Sequence, residues 1–141
     1  MRNPVHDARA FGKLLGEVGF EVKLHENLGP RGMLRAIRDF GDGITEGSVA
    51  LFYFAGHGVQ VRDRNYLIPV DADIRREDEI PFLSMDAALI LEKMELGKSH
   101  INVMILDACR NNPFARSVRA RVNEAGEGGT GASSSDCGEL A

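Results

Sequence analysis

Two residues with complementary chemistry each close an apolar run. His57 ends Phe52-Tyr53-Phe54-Ala55-Gly56-His57, and Cys109 ends Ile105-Leu106-Asp107-Ala108-Cys109. A thiolate is a strong nucleophile, and an imidazole beside it both favours the thiolate and later supplies a proton. The pair is therefore the minimum apparatus for cysteine-based acyl transfer. Alone, each residue has a plainer role: a small buried hydrophobe for the cysteine, a structural or solvated ring for the histidine. Position gives the pair its weight. In a parallel α/β sheet, sites form outside the carboxyl ends of the strands, so residues that close two such strands share one edge. Glycines on both sides of His57 permit close approach of the backbone to a substrate. The N–H groups of Gly58 and Cys109 are candidate donors to a developing oxyanion, each such donor typically contributing about 3 kcal/mol.

These residues need a frame, and the periodicity supplies one. Asn3 caps a first helix with Pro4 at its opening position, and Ala8, Phe11, Leu15 and Val18 recur at helical spacing until Gly19. Phe20, Val22 and Leu24 alternate with Glu21 and Lys23, which predicts a half-exposed strand. Met33, Ile37, Phe40 and Ile44 restore the helical period after the Gly29-Pro30 break. Ser48 to Ala55 reads as a strand covered on both faces, Gly56 to Asn65 as a loop, and Tyr66 to Val70 as a short extended segment. Ser84 is expected to cap a third helix reaching about Leu96, and Ile101 to Leu106 is the next buried strand. The alternation predicts an α/β fold with a mostly parallel sheet and helices on both faces. Residues 1–116 read as one domain. Residues 117–141, rich in Gly and Ser from Gly126 to Gly138, read as a disordered tail.

Composition narrows the function classes. A chain of 141 residues with 43% hydrophobic content suits a single domain. Its net charge of −4 offers no basic stripe for nucleic acid. The longest apolar runs, Val49 to Ala55 and Val103 to Leu106, fall far short of the roughly 20 residues that cross a bilayer, and Met1-Arg2-Asn3-Pro4 leads into no signal-type stretch. A soluble cytoplasmic protein without a membrane partner is the expectation. Cys109 and Cys137 are the only cysteines and imply no disulfide framework. His6, His25 and His100 lack metal-ligand spacing, so no metal site is expected. Gly12, Gly16 and Gly19 follow no strand, which excludes a dinucleotide loop. Arg110 and Arg116 read as ion-pair or rim residues.

Three ordered motifs carry a family resemblance. Tyr53-Phe54-Ala55-Gly56-His57-Gly58, Asn65-Tyr66-Leu67-Ile68-Pro69-Val70-Asp71 and Asp107-Ala108-Cys109-Arg110-Asn111-Asn112-Pro113-Phe114 resemble the large-subunit region of bacterial caspase-like cysteine peptidases, relatives of caspases and metacaspases. The resemblance covers roughly residues 3–116. A histidine about 50 residues upstream of the nucleophile is a known caspase signature. The resemblance implies a caspase-hemoglobinase fold and a polypeptide substrate without an organic cofactor. His57 would be general base and acid, Cys109 the nucleophile, and Gly58 and Cys109 the oxyanion donors.

Asp107 departs from true caspases, standing where their signature has glutamine. A carboxylate there attracts Arg or Lys through charge-assisted bonds. Metacaspases share this acidic pattern, with a second acid at an Asn-Asp-Ala motif opening the first helix. His6-Asp7-Ala8 occupies that place, so Asp7 is the second pocket residue by resemblance. The plainer alternatives are that Asp7 complements a helix N-terminus and Asp107 ties down its own loop. Some metacaspases use calcium, and Asp71, Asp73, Asp78 and Glu79 are acidic, but their spacing matches no ordered calcium loop and reads as solvated.

The implied activity is a cysteine endopeptidase preferring Arg or Lys before the scissile bond. Set against the family, the chain reads as incomplete at both ends. A second class is therefore carried alongside: a catalytically idle interaction module, associating with itself or a partner through open sheet edges. A third is a cysteine hydrolase acting on a nonpeptide acyl bond.

Overall fold

The computed structural model describes residues 3–109. The tail expected over 117–141, with Arg110, Arg116 and Cys137, lies outside the described residues. Helix α1 (Pro4–Glu17) starts as its sequence dictates: Asn3 is extended, its side chain accepts from the His6 N–H at 3.1 Å, and Pro4 opens the first turn. Helix α2 (Pro30–Asp42) likewise begins at its proline and buries Met33 and Ile37.

The strand expected over Phe20 to Leu24 is absent. No strand among the described residues lies beside this segment to pair with it. It is held by side chains instead. Arg9 and Glu26 form a two-pronged ion pair that ties the segment to α1, and Val22 and Leu24 lie against the open side of Gly12. Alternation reports a half-covered extended chain, and here a helix does the covering.

Strand β1 (Val49–Val61) runs well past Ala55, so the loop expected over Gly56 to Asn65 is a hairpin. Arg62 and Asp63 both have positive φ, 48° and 63°, the geometry of a two-residue type I′ turn that matches strand twist. Strand β2 (Arg64–Ile68) returns antiparallel, from Val61↔Arg64 to His57↔Ile68.

The helix expected to start at Ser84 starts later. Ser84 instead closes a short helix α3 (Ile80–Leu83), and Met85–Asp86 forms a two-residue strand β3 paired with β2. Asp86 is the true cap of α4 (Ala87–Leu96), accepting the Ala88 N–H at 2.9 Å. Strand β4 (Ile101–Cys109) lies parallel to β1.

The sheet order is β3-β2-β1-β4, and only the β1–β4 pairing is parallel. It is mixed rather than mostly parallel, because a two-residue turn can join only antiparallel neighbours. The fold is α/β, with helices on both faces as the alternation predicts. Ala50, Phe52 and Phe54 of β1, with Leu67, Met104 and Leu106, pack against Met33 and Ile37 of α2 and Ile90 and Met94 of α4. The intervening positions face α1, where the Phe11 and Tyr53 rings meet with centroids 4.5 Å apart. A second cluster, Val59, Val61, Tyr66 and Ile80, closes the hairpin end.

Candidate active site

The parallel ladder of β1 and β4 runs in unbroken register from Val49↔Ile101 to His57↔Cys109. The two residues singled out for chemistry are therefore ladder partners at the last rung, with their backbones about 5 Å apart as neighbouring strands lie. A run apolar on every residue, Val49 to Ala55, forms an internal strand, and the same logic applied to Ile101 to Leu106 brings its last residues to the same edge. His57 is exposed, and its ring makes no hydrogen bond to the described residues, so the imidazole is open to a reactant. An imidazole beside a thiol position at a strand edge suits proton transfer coupled to thiolate attack.

Gly58, expected in a loop, lies in the hairpin ladder opposite Leu67. It borders a small, mainly apolar cleft with Asn65, Leu106 and Ala108, and the Asn65 Oδ1 there is buried without a hydrogen-bond partner among the described residues. Gly56 makes room for a neighbouring ring: a Cβ there would stand 2.8 Å from Cζ of Phe54, so any other residue would make that ring shift beneath the position before His57.

The two acids come from different elements. Asp107 pairs in register with Ala55, two rungs before the His57–Cys109 rung, and its side chain is exposed. Asp7 lies in the first turn of α1, four residues before Phe11 and so on the same helix face. Tyr53 reports where both carboxylates are. Burial first, then the charges of Asp107 and Asp7, push its phenol above the ordinary value. Asp107 thus lies on the strand ends that carry His57 and Cys109, and Asp7 is near enough for its charge, like that of Asp107, to act on the Tyr53 phenol.

Among the described residues no Lys or Arg pairs with Asp107, and the ionic neighbour of Asp7 is its own neighbour His6, Nδ1 to Oδ1 3.8 Å. Other acids have guanidinium partners: Glu26 has Arg9, Asp86 has Arg64, Asp73 has Arg75 and Asp78 has Arg76. The acidic stretch after Asp71 is thus occupied by its own arginines, and among the described residues no three His, Cys, Asp or Glu side chains converge as metal ligands. Nor is any helix among them long and apolar enough to cross a membrane.

Tyr53 and Phe11 escaped the sequence reading as site residues. The signal was there in period-two spacing, since Tyr53 shares a strand face with Ala55 and His57, and in helical spacing, since Phe11 shares a face with Asp7.

Comparison with known proteins places the chain in a family. Mucosa-associated lymphoid tissue lymphoma translocation protein 1 from Homo sapiens and its homolog from Mus musculus are each 27% identical to the chain over 110 residues, which is 78% of this chain. The chain spans only 13% of the length of each. The family model for the caspase domain matches residues 1–137, nearly the whole sequence. A histidine and a cysteine on the last rung of a parallel strand pair thus sit in a chain that belongs to the caspase domain family, a family of cysteine peptidases.

Proposed function

We propose that the chain is a cysteine endopeptidase of metacaspase-like specificity, cutting after Arg or Lys. His57 takes the Cys109 proton, the thiolate adds to the scissile carbonyl, and protonated His57 releases the amine. Water activated by the same imidazole then resolves the thioester. The N–H groups of Gly58 and Cys109 hold the oxyanion. Asp107 and Asp7 receive the cationic side chain of the substrate. The observation that carries the reading is the rung that joins His57 to Cys109, with Asp107 close by on the same strand end and without a Lys or Arg partner among the described residues.

A second reading, a catalytically idle binding module, draws on the outer edge of β4, which has no strand beside it among the described residues. Thiol reactivity separates the two. At neutral pH an iodoacetamide-type electrophile should label Cys109 at least tenfold faster than Cys137, and His57→Ala should remove most of that difference, because a histidine-paired thiolate is far more populated than an ordinary one. Equal labelling of the two cysteines in the unmodified chain would favour the idle module.

A further inference from the structure

Asn65 has no part in the reaction described above, yet its placement is costly. Its Oδ1 is buried in the cleft beside Gly58, Leu106 and Ala108, with no hydrogen-bond partner among the described residues. A buried carbonyl oxygen that has given up water and gained no donor weakens the fold. The rest of the lining is mainly apolar, which suits a resident water poorly because a buried water needs several polar partners. The cleft therefore presents one acceptor and apolar walls, with room for a methyl-sized group and none for a ring.

The cleft also adjoins the reacting pair. Gly58 follows His57 and Ala108 precedes Cys109, so two of its walls are chain neighbours of the last rung. Alternation fixes its face. Leu67 and Leu106 pack into the core under α2 and α4, whereas Ala55 and Asp107, two places on from Tyr53 and Ile105, turn to the α1 side. An extended peptide alternates in the same way, so with its cationic side chain at Asp107 the adjoining residue points across the sheet edge towards the cleft. Resting on the peptidase reading, we infer that the cleft is a second substrate subsite: it takes a small apolar side chain next to the Arg or Lys, and Asn65 Oδ1 accepts the N–H of that residue.

Peptide binding to the 141-residue chain carrying Cys109→Ala, followed by calorimetry, tests this without turnover. Acetyl-Ala-Arg-Ala-amide is compared with peptides that carry Phe in place of either alanine, or a methyl group on either alanine nitrogen, and with butylguanidinium as the cation alone. At one of the two positions, each change should weaken binding roughly fivefold, the scale of one hydrogen bond, and the position that responds fixes the direction of the peptide across the rung. Asn65→Leu, added to the same chain, keeps the shape and removes the amide. It should abolish the N-methyl effect, leave butylguanidinium binding unchanged, and melt no lower than its parent, since the acceptor it deletes had no partner. Equal binding of all the peptides would overturn the subsite while leaving the cationic pocket standing. A lower melting temperature in Asn65→Leu would do the same by making the residue a structural one. No butylguanidinium binding by the parent chain would overturn the cationic pocket, and the subsite with it.

Discussion

Tyr53 couples the site to stability. Burial, followed by the charges of Asp107 and Asp7, raises its ionisation in the folded chain above the ordinary value of about 10. A raised acid favours its protonated form in the fold. The contribution is therefore complete below about pH 10, where the phenol is protonated folded or unfolded, and is lost as pH climbs through the raised value. Denaturant unfolding of the unmodified chain should show stability falling through that alkaline window, and Tyr53→Phe should flatten the fall. An alkaline limb identical in the two proteins would mean that the phenol titrates as it does in solvent. The same scale shows what the sequence could and could not reveal. The strand-end positions of His57, Asp107 and Cys109 were legible from the apolar runs they close, whereas Asp7 was singled out by its motif. Tyr53 reads in one dimension as one more strand aromatic, and only the packing of α1 across β1 gives it neighbours.

At the element scale, Asp86 binds three elements together. It is buried in β3, its Oδ1 caps α4, and its Oδ2 accepts from Arg64 of β2 at 2.8 Å. Asp86→Ala removes a helix cap and an ion pair to the largely exposed Arg64, and should cost about 1–2 kcal/mol. Asp86→Asn keeps the capping oxygen and should recover part of that loss in the same chemical unfolding measurement. A loss below about 0.5 kcal/mol for the alanine variant would mean that the cap is dispensable.

The misplaced boundaries have physical causes at this same scale. Ser84 and Asp86 are both good capping residues, and choosing between them requires knowing that Met85 and Asp86 pair with β2. The β1–β2 turn carries Arg62-Asp63 in place of the usual Asn-Gly, so nothing local announced two left-handed residues and Gly56 to Asn65 read as a loop. Phe20 to Leu24 alternates correctly for a strand, yet a ladder needs a neighbour as well as a pattern. The helices and the two long strands were legible because amphipathic periodicity and continuous apolar runs are properties of the segment itself.

Across the whole molecule, the parallel β1–β4 pair is the axis of the account. Its even positions pack towards α2 and α4, and its odd positions, Tyr53 among them, take the α1 side. Coverage is unequal. Val49 and Ile101, partners at the first rung, are 45% and 49% exposed, so the α1 face is apolar and open at the end away from His57. That strip and the free edge of β4 are the surfaces on which strand addition or a second copy would act, as the idle-module reading requires. The peptidase reading requires instead that the last rung do chemistry. Cleavage decides between them most directly. Reporter peptides alike except for Arg, Lys or Glu before the scissile bond should be compared with the unmodified chain and with Cys109→Ala. The expected result is turnover of the Arg and Lys peptides well above the Glu peptide, lost in Cys109→Ala. Turnover that survives in Cys109→Ala, a Glu peptide cut as fast as Arg, or no Cys109-dependent cleavage at all would contradict the account.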